Sequence, residues 1–162
     1  MPMLDVTIPD GALSAGAEQQ LLARLTDVLL EHEGADATNA AARSVAWVFL
    51  HRPAQVFVGG APESEPHYRV LVTVPEGQFD DERRGAMVAA VTEAVLDAEQ
   101  GVRPRDPSRV WVFATEMPEG TWGAGGRIVR LADIAHFVIG DRQKAERYAA
   151  RRLGRAPEPI GG

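Results

Sequence analysis

The sequence predicts an α/β (α+β) protein built from two tandem β-α-β repeats. Three motifs occur twice, in the same order and at nearly the same spacing. They are TIPDG at residues 7–11 and TVPEG at 73–77, WVF at 47–49 and 111–113, and Gly-Gly at 59–60 and 125–126. Because motifs that recur at a constant spacing indicate a repeated structural unit, both halves of the chain are expected to form the same small fold.

Each repeat begins and ends with a short β-rich segment. The opening segments are residues 4–8 and 68–74, and the closing segments are residues 45–50 and 110–115. Glycine and proline follow these segments, as they commonly do at strand ends. A helix that connects two strands of one sheet makes a right-handed crossover, so the two strands of each repeat are expected to be parallel.

A helix is predicted between the strands of each repeat, because apolar residues recur there at helical spacing. The first apolar stripe consists of Leu21, Leu25, Val28 and Leu29, and the second of Met87, Val88, Val91, Val95 and Ala98. Ser14 and Asp80 are suitable N-caps, and Gly34 and Gly101 are the expected stops.

Together the repeats predict a four-stranded sheet with two helices on one face. The other face is then uncovered, although strand residues 46–50 are apolar at consecutive positions, as in strands buried on both faces. A sheet of this kind needs a partner for its second face, so the pattern predicts an oligomer.

The repeats define a single domain over residues 1–138, with repeat one at 2–60 and repeat two at 67–126. Residues 127–138 are expected to add a strand and a short helix. Residues 139–162 are predicted to form a C-terminal helical tail, whose last part, from Gly154 onwards, is rich in proline and glycine.

Composition excludes several classes of function. A net charge of −6 disfavours nucleic-acid binding, and the absence of cysteine rules out disulfides and thiolate chemistry. No apolar run approaches the roughly 20 residues that span a bilayer, and the N-terminus does not resemble a signal peptide, so a cytoplasmic protein is expected. The histidines show no metal-ligand spacing, and no metal or cofactor is expected; they are His32, His51, His67 and His136.

Four motifs give the chain a family resemblance. It begins Met1-Pro2 and continues directly into a strand, and residues 115–126 (TEMPEGTWGAGG) resemble the end of the short 4-oxalocrotonate tautomerase subunit. Residues 55–60 (QVFVGG) resemble a turn of cis-chloroacrylic acid dehalogenase and macrophage migration inhibitory factor, and residues 51–53 (HRP) resemble malonate semialdehyde decarboxylase. The chain therefore resembles the tautomerase superfamily over about residues 2–130, which implies a homotrimer of subunits with two β-α-β units each.

The resemblance implies that Pro2 is catalytic once Met1 is removed. A proline at the N-terminus carries a secondary amine, and an apolar pocket lowers the pKa of that amine by disfavouring its charged form. A neutral amine near pH 7 is a competent general base, which can take a proton beside a carbonyl group and return it elsewhere. Such chemistry needs no cofactor.

The chain lacks the other polar residues of the family. The family arginines that bind substrate carboxylates are matched by Ala12, Pro75, Gln78 and Trp111. A water-activating carboxylate of the dehalogenase is matched by Ala124, and its helix-one histidine by Leu29. The residues expected to bind substrate beside Pro2 are Arg127, Phe57, Phe113 and Trp122.

Two functions follow from this resemblance. The first is a cofactor-independent tautomerase, or a related lyase, hydratase, dehalogenase or decarboxylase, that acts on a small keto or enol compound or an unsaturated acid. The second is a catalytically degenerate trimer that binds a ligand or a partner protein. The retained Pro2 favours the enzyme, and the missing arginines favour the degenerate trimer.

Overall fold

A computed structural model describes residues 2–154. The predictions on Met1 and on residues 155–162 lie outside these residues. The elements in chain order are β1 Met3–Thr7, α1 Ala15–Glu33, α2 Ala40–Ser44, β2 Trp47–His51, β3 Phe57–Val58, β4 Ala61–Pro62, β5 Tyr68–Pro75, α3 Asp81–Ala98, a 3₁₀ turn Pro107–Arg109, β6 Val110–Met117, β7 Gly123–Ala124, β8 Arg127–Ile128, α4 Leu131–Ile139 and α5 Arg142–Arg152.

The main sheet has four strands in the order β2-β1-β5-β6. Strand β1 pairs in parallel with β2, and β5 pairs in parallel with β6. The two halves are joined by antiparallel pairing of β1 with β5, which places Leu4 opposite Val72. The predicted four-stranded sheet with helices is confirmed, and the antiparallel pairing of its two halves was not predicted.

Alternation along the strands divides their side chains between two faces. On β1, Leu4 and Val6 are buried against the helices, whereas Met3, Asp5 and Thr7 point to the opposite face. The buried side chains form one cluster with the apolar stripes of α1 and α3.

The helix ends largely follow the predicted caps. The Ser14 hydroxyl accepts a hydrogen bond from the Ala17 amide at 3.2 Å, and Gly34 ends α1 with a φ of 78°. Asp80 caps α3 as expected. However, α3 ends at Ala98, before the predicted stop at Gly101, because Gln100 already has a left-handed backbone conformation with a φ of 52°.

Glu99 also belongs to a buried ion pair that the sequence did not predict. Its carboxylate accepts hydrogen bonds from the Arg109 guanidinium at 2.7 and 2.8 Å and from the Tyr68 hydroxyl at 2.9 Å. The Arg109 hydrogen bonds hold the pKa of Glu99 below its ordinary value. This cluster ties the end of α3 to the starts of β5 and β6.

The second face of the sheet carries exposed aromatic side chains. Trp47 and Trp111 are 63% and 67% exposed, and each stacks edge-to-face on a phenylalanine two residues along its strand, with ring centroids 6.3 and 6.4 Å apart. This is the uncovered apolar face that the strand pattern predicts.

Several local elements were not predicted or were placed differently. The predicted strand at 45–50 is shorter, because the helix α2 ends at Ser44 and β2 begins at Trp47. The Gly-Gly pairs form the turns of two short hairpins, β3-β4 and β7-β8. None of the helices within residues 2–154 is both long and apolar enough to cross a membrane.

Helices α4 and α5 form a hairpin that packs against the sheet end where β1 starts. The Asn39 side-chain amide donates to the Val138 carbonyl at 3.4 Å, and the Arg152 guanidinium donates to the Glu33 carbonyl at 3.3 Å. Gly77 lies so close to Arg152 that a Cβ there would sit 2.6 Å from the Arg152 carbonyl oxygen. The described part of the predicted tail is thus docked on the domain.

Candidate active site

Pro2 lies at the start of β1 and is buried. Its carbonyl oxygen accepts a hydrogen bond from the Trp47 amide at 3.1 Å, which extends the pairing of β1 with β2. Two cavities meet at this residue, and we call them the inner pocket and the outer cleft. Pro2 is therefore positioned to contact a molecule in either one.

The inner pocket has a volume of about 120 Å³. It is formed by the end of α1, the α2–β2 connection, the end of β5 and the α4–α5 hairpin. Its lining is Pro2, Leu30, Glu33, Gly34, Ala35, Ala42, Val45, Pro75, Gln78, Leu131, Ile134, Ala135, Val138, Ile139 and Tyr148. Most of these residues are apolar, so the few polar groups among them are chemically prominent.

Gln78 and Tyr148 form one polar pair in the inner pocket. Gln78 is only 2% exposed, and its side-chain oxygen Oε1 accepts a hydrogen bond from the Tyr148 hydroxyl at 2.8 Å. The Gln78 nitrogen Nε2 is buried and has no hydrogen-bond partner among residues 2–154. Burial raises the pKa of Tyr148, so its hydroxyl remains protonated as the donor near neutral pH.

Glu33 is the acidic residue of the inner pocket. Burial raises the pKa of its carboxyl group from 4.5 to about 7, and the positive charge at the amino terminus of the chain acts in the opposite direction. The protonated and ionised forms therefore coexist near neutral pH. This property is typical of groups that transfer protons.

The outer cleft lies on the aromatic face of the sheet and has a volume of about 530 Å³. Pro2, Trp47, Phe49, Trp122 and Ala124 are among its lining residues. It is broader than the inner pocket and continues the exposed aromatic face, so its final shape depends on what covers that face.

The predicted site residues are only partly brought together within one chain. Pro2 and Trp122 share the outer cleft. Phe57 is 59% exposed on the β3-β4 hairpin, Phe113 points outward from β6, and Arg127 is exposed on β8; none of the three lines either cavity. Arg127 therefore does not reach Pro2 of its own chain, because its short hairpin projects it to the surface.

The positions of Glu33 and Tyr148 beside Pro2 in the inner pocket were not predicted from the sequence. Helix α1 runs antiparallel to β1, so its last turn returns to the level of Pro2, and Glu33 is the last residue before the Gly34 stop. The place of Glu33 directly before the predicted helix stop could therefore have indicated an acidic residue beside Pro2. The docking of Tyr148 onto Gln78, which is 70 residues away in sequence, had no local signal. Within residues 2–154, no cluster of three or more His, Cys, Asp or Glu side chains could hold a metal ion.

Part of the chain is similar to a known family. The family described as "Tautomerase enzyme" matches residues 69–132, from β5 to the first residues of α4. This match covers the second repeat, and together with the solved structures below it supports the resemblance to the tautomerase superfamily. No curated protein matches this chain significantly.

Solved structures share its fold. Pt0534 inactivated by 2-oxo-3-pentynoate is 23% identical with a TM-score of 0.62, and the match covers 78% of this chain and 94% of Pt0534. Macrophage migration inhibitory factor of Toxoplasma gondii is 16% identical with a TM-score of 0.61, covering 78% and 99%. A member of the cis-3-chloroacrylic acid dehalogenase family is 16% identical with a TM-score of 0.62, covering 78% and 82%. Fused 4-OT proteins of the same fold are described as symmetric and asymmetric trimers.

Proposed function

We propose that this protein is a cofactor-independent tautomerase that uses Pro2 as its proton-transfer group. The observation that carries the proposal is the position of Pro2, which is buried at the start of β1 between two cavities with largely apolar linings. A free secondary amine in this position is disfavoured as the ammonium ion, and its pKa falls.

The proposed reaction moves one proton and needs no other reactant. The Pro2 nitrogen takes a proton from the carbon beside a carbonyl group, and the electron pair of that C–H bond forms a new C=C bond as the carbonyl π electrons move to oxygen. The protonated Pro2 then returns the proton to the oxygen, or to a more distant carbon of a conjugated system. In the ketonisation direction the same steps run in reverse.

We propose a homotrimer as the working assembly. Trp47, Trp111 and the outward-facing phenylalanines leave an apolar sheet face exposed in one chain, and such a face is typical of an interface. The trimers among the fused 4-OT structures support this assembly. In a trimer, Phe57, Phe113 or Arg127 of a neighbouring subunit would be available to complete the outer cleft.

Dehalogenase and decarboxylase activities are expected to be weak. Ala124 lines the outer cleft and, by the family resemblance, stands where the dehalogenase has its water-activating carboxylate. The positions that carry carboxylate-binding arginines in the resemblance are Pro75 and Gln78, and both line the inner pocket. Chloride release from a chloroacrylate should therefore be far slower than enol ketonisation.

A titration of Pro2 distinguishes an enzyme from a degenerate trimer. Protein with Met1 removed and ¹⁵N-labelled proline would be titrated by NMR. An amine pKa well below that of an exposed N-terminal proline supports catalysis. An unshifted pKa would favour the degenerate trimer, which the missing arginines also favour.

A further inference from the structure

We propose that the inner pocket is the substrate site, that it selects a small uncharged ketone or its enol, and that the Gln78 side-chain amide binds the substrate oxygen. The proton transfer at Pro2 rests on the proposed function. The preference for an uncharged ligand and the hydrogen bond from Gln78 can be tested by binding experiments alone.

The size of the inner pocket limits its ligand. A volume of about 120 Å³ is slightly smaller than the engineered apolar cavity of about 150 Å³ that binds benzene. The pocket therefore accommodates a molecule of about six or seven non-hydrogen atoms.

The charge of the inner pocket excludes a carboxylate. Among residues 2–154, its lining contains no arginine, lysine or histidine, and its acidic residue is Glu33. The nearby guanidinium groups of Arg151 and Arg152 stack on the Tyr148 ring at 5.8 and 5.3 Å, and neither lines the pocket. When the Pro2 amine is neutral, as the proposed mechanism requires, a substrate carboxylate would be buried without a counter-charge and beside another acid, which is strongly unfavourable.

Gln78 supplies a neutral donor in place of a cation. Its Nε2 group is buried without an acceptor, and Tyr148 holds the other end of the amide through a 2.8 Å hydrogen bond. A buried donor without a partner is destabilising, so a ligand oxygen that accepts from it gains a well-oriented hydrogen bond. When Pro2 removes the neighbouring proton, charge develops on this oxygen, and a fixed donor stabilises it.

The test compares the binding of 4-methylpentan-2-one and acetoacetate at pH 7.5. Each molecule has seven non-hydrogen atoms. They share the same methyl ketone, and 4-methylpentan-2-one has a branched alkyl group where acetoacetate has its carboxylate. NMR titration of the processed protein should show at least about tenfold tighter binding of the ketone, with movement of the Gln78 side-chain amide resonances. Because this readout requires no turnover, it holds or fails independently of catalysis by Pro2.

Two variants locate the hydrogen bond. Gln78→Leu should weaken ketone binding about tenfold, whereas Tyr148→Phe keeps the Gln78 amide and should weaken it less. If Gln78→Leu does not fold, the chemical-shift changes of the Gln78 side-chain amide in the unmodified protein show whether the ketone binds to it. Acetoacetate binding as tight as the ketone, no ketone binding, or ketone binding that leaves the Gln78 amide unmoved would overturn the proposal.

Discussion

The raised pKa of Glu33 predicts an unusual pH dependence of stability. Burial raises this pKa from 4.5 to about 7, so the folded protein holds a proton that the unfolded chain releases. The stability associated with the protonated carboxyl is fully present below pH 4.5 and is lost as the pH rises through about 7. Each pKa unit corresponds to about 1.4 kcal/mol, which gives a loss of about 3 kcal/mol by pH 7.5.

Glu33→Gln removes this dependence because an amide does not ionise. The quantity to compare is the free energy of unfolding of the variant minus that of the unmodified protein. This difference should be about 3 kcal/mol larger at pH 7.5 than at pH 4. Urea denaturation at a fixed protein concentration measures this, since assembly makes apparent stability concentration-dependent. Glu31→Gln on the same helix is the matched control, because Glu31 is 51% exposed and pairs with Arg24 only at 3.7 Å.

The refuting result is equally specific. If the stability difference between Glu33→Gln and the unmodified protein is the same at pH 4 and pH 7.5, Glu33 titrates alike in the folded and unfolded states. The inner pocket then does not keep water from its carboxyl group. The electrostatic argument against carboxylate substrates would lose its main support.

Three further predictions concern assembly and packing. Replacing both Trp47 and Trp111 with glutamate should convert the proposed trimer to monomers, which native mass spectrometry reports; an intact trimer would show that the aromatic sheet face is not the interface. Glu99→Ala leaves a buried guanidinium without its counter-charge and should cost about 3 kcal/mol in chemical denaturation, and a change near zero would contradict the buried ion pair. Gly77→Ala should loosen the C-terminal hairpin, because its φ is 87° and its new Cβ would lie 2.6 Å from the Arg152 carbonyl oxygen; faster amide exchange in α5 checks this, and unchanged exchange would show that the hairpin is not docked there.

The sheet and its two long helices could be predicted from the sequence because their signals are local. Strand segments and apolar stripes each lie within about twenty residues, and the caps Ser14 and Asp80 act within one helical turn. The exposed aromatic face followed from the same strand pattern. The predicted first strand also places Pro2 at its start.

The inner pocket could not be predicted because distant segments form it. Its polar pair joins Gln78 to Tyr148 across 70 residues, and its outer wall is the α4–α5 hairpin. The hairpin docks through close contacts such as Gly77 with Arg152, which leave no periodic signal in the sequence. The same reasoning explains why Arg127 lies away from Pro2 of its own chain, because a sequence match near a glycine turn does not fix the direction of a two-residue strand.

The central claim is that the free amine of Pro2 transfers the proton, and the most direct measurement compares three forms of the protein. They are the processed protein, a form that retains an N-terminal extension before Pro2, and Pro2→Ala. Each would be assayed for ketonisation of the enol of 2,4-pentanedione, followed by ultraviolet absorbance. Loss of a general base typically lowers the rate about 10²–10⁴-fold, so the extended form, in which the nitrogen is an amide, should be slower than the processed protein by a factor of this size. Pro2→Ala keeps a primary amine and should retain part of the activity. Equal activity in all three forms would contradict the claim and would leave Pro2 as the first residue of a strand.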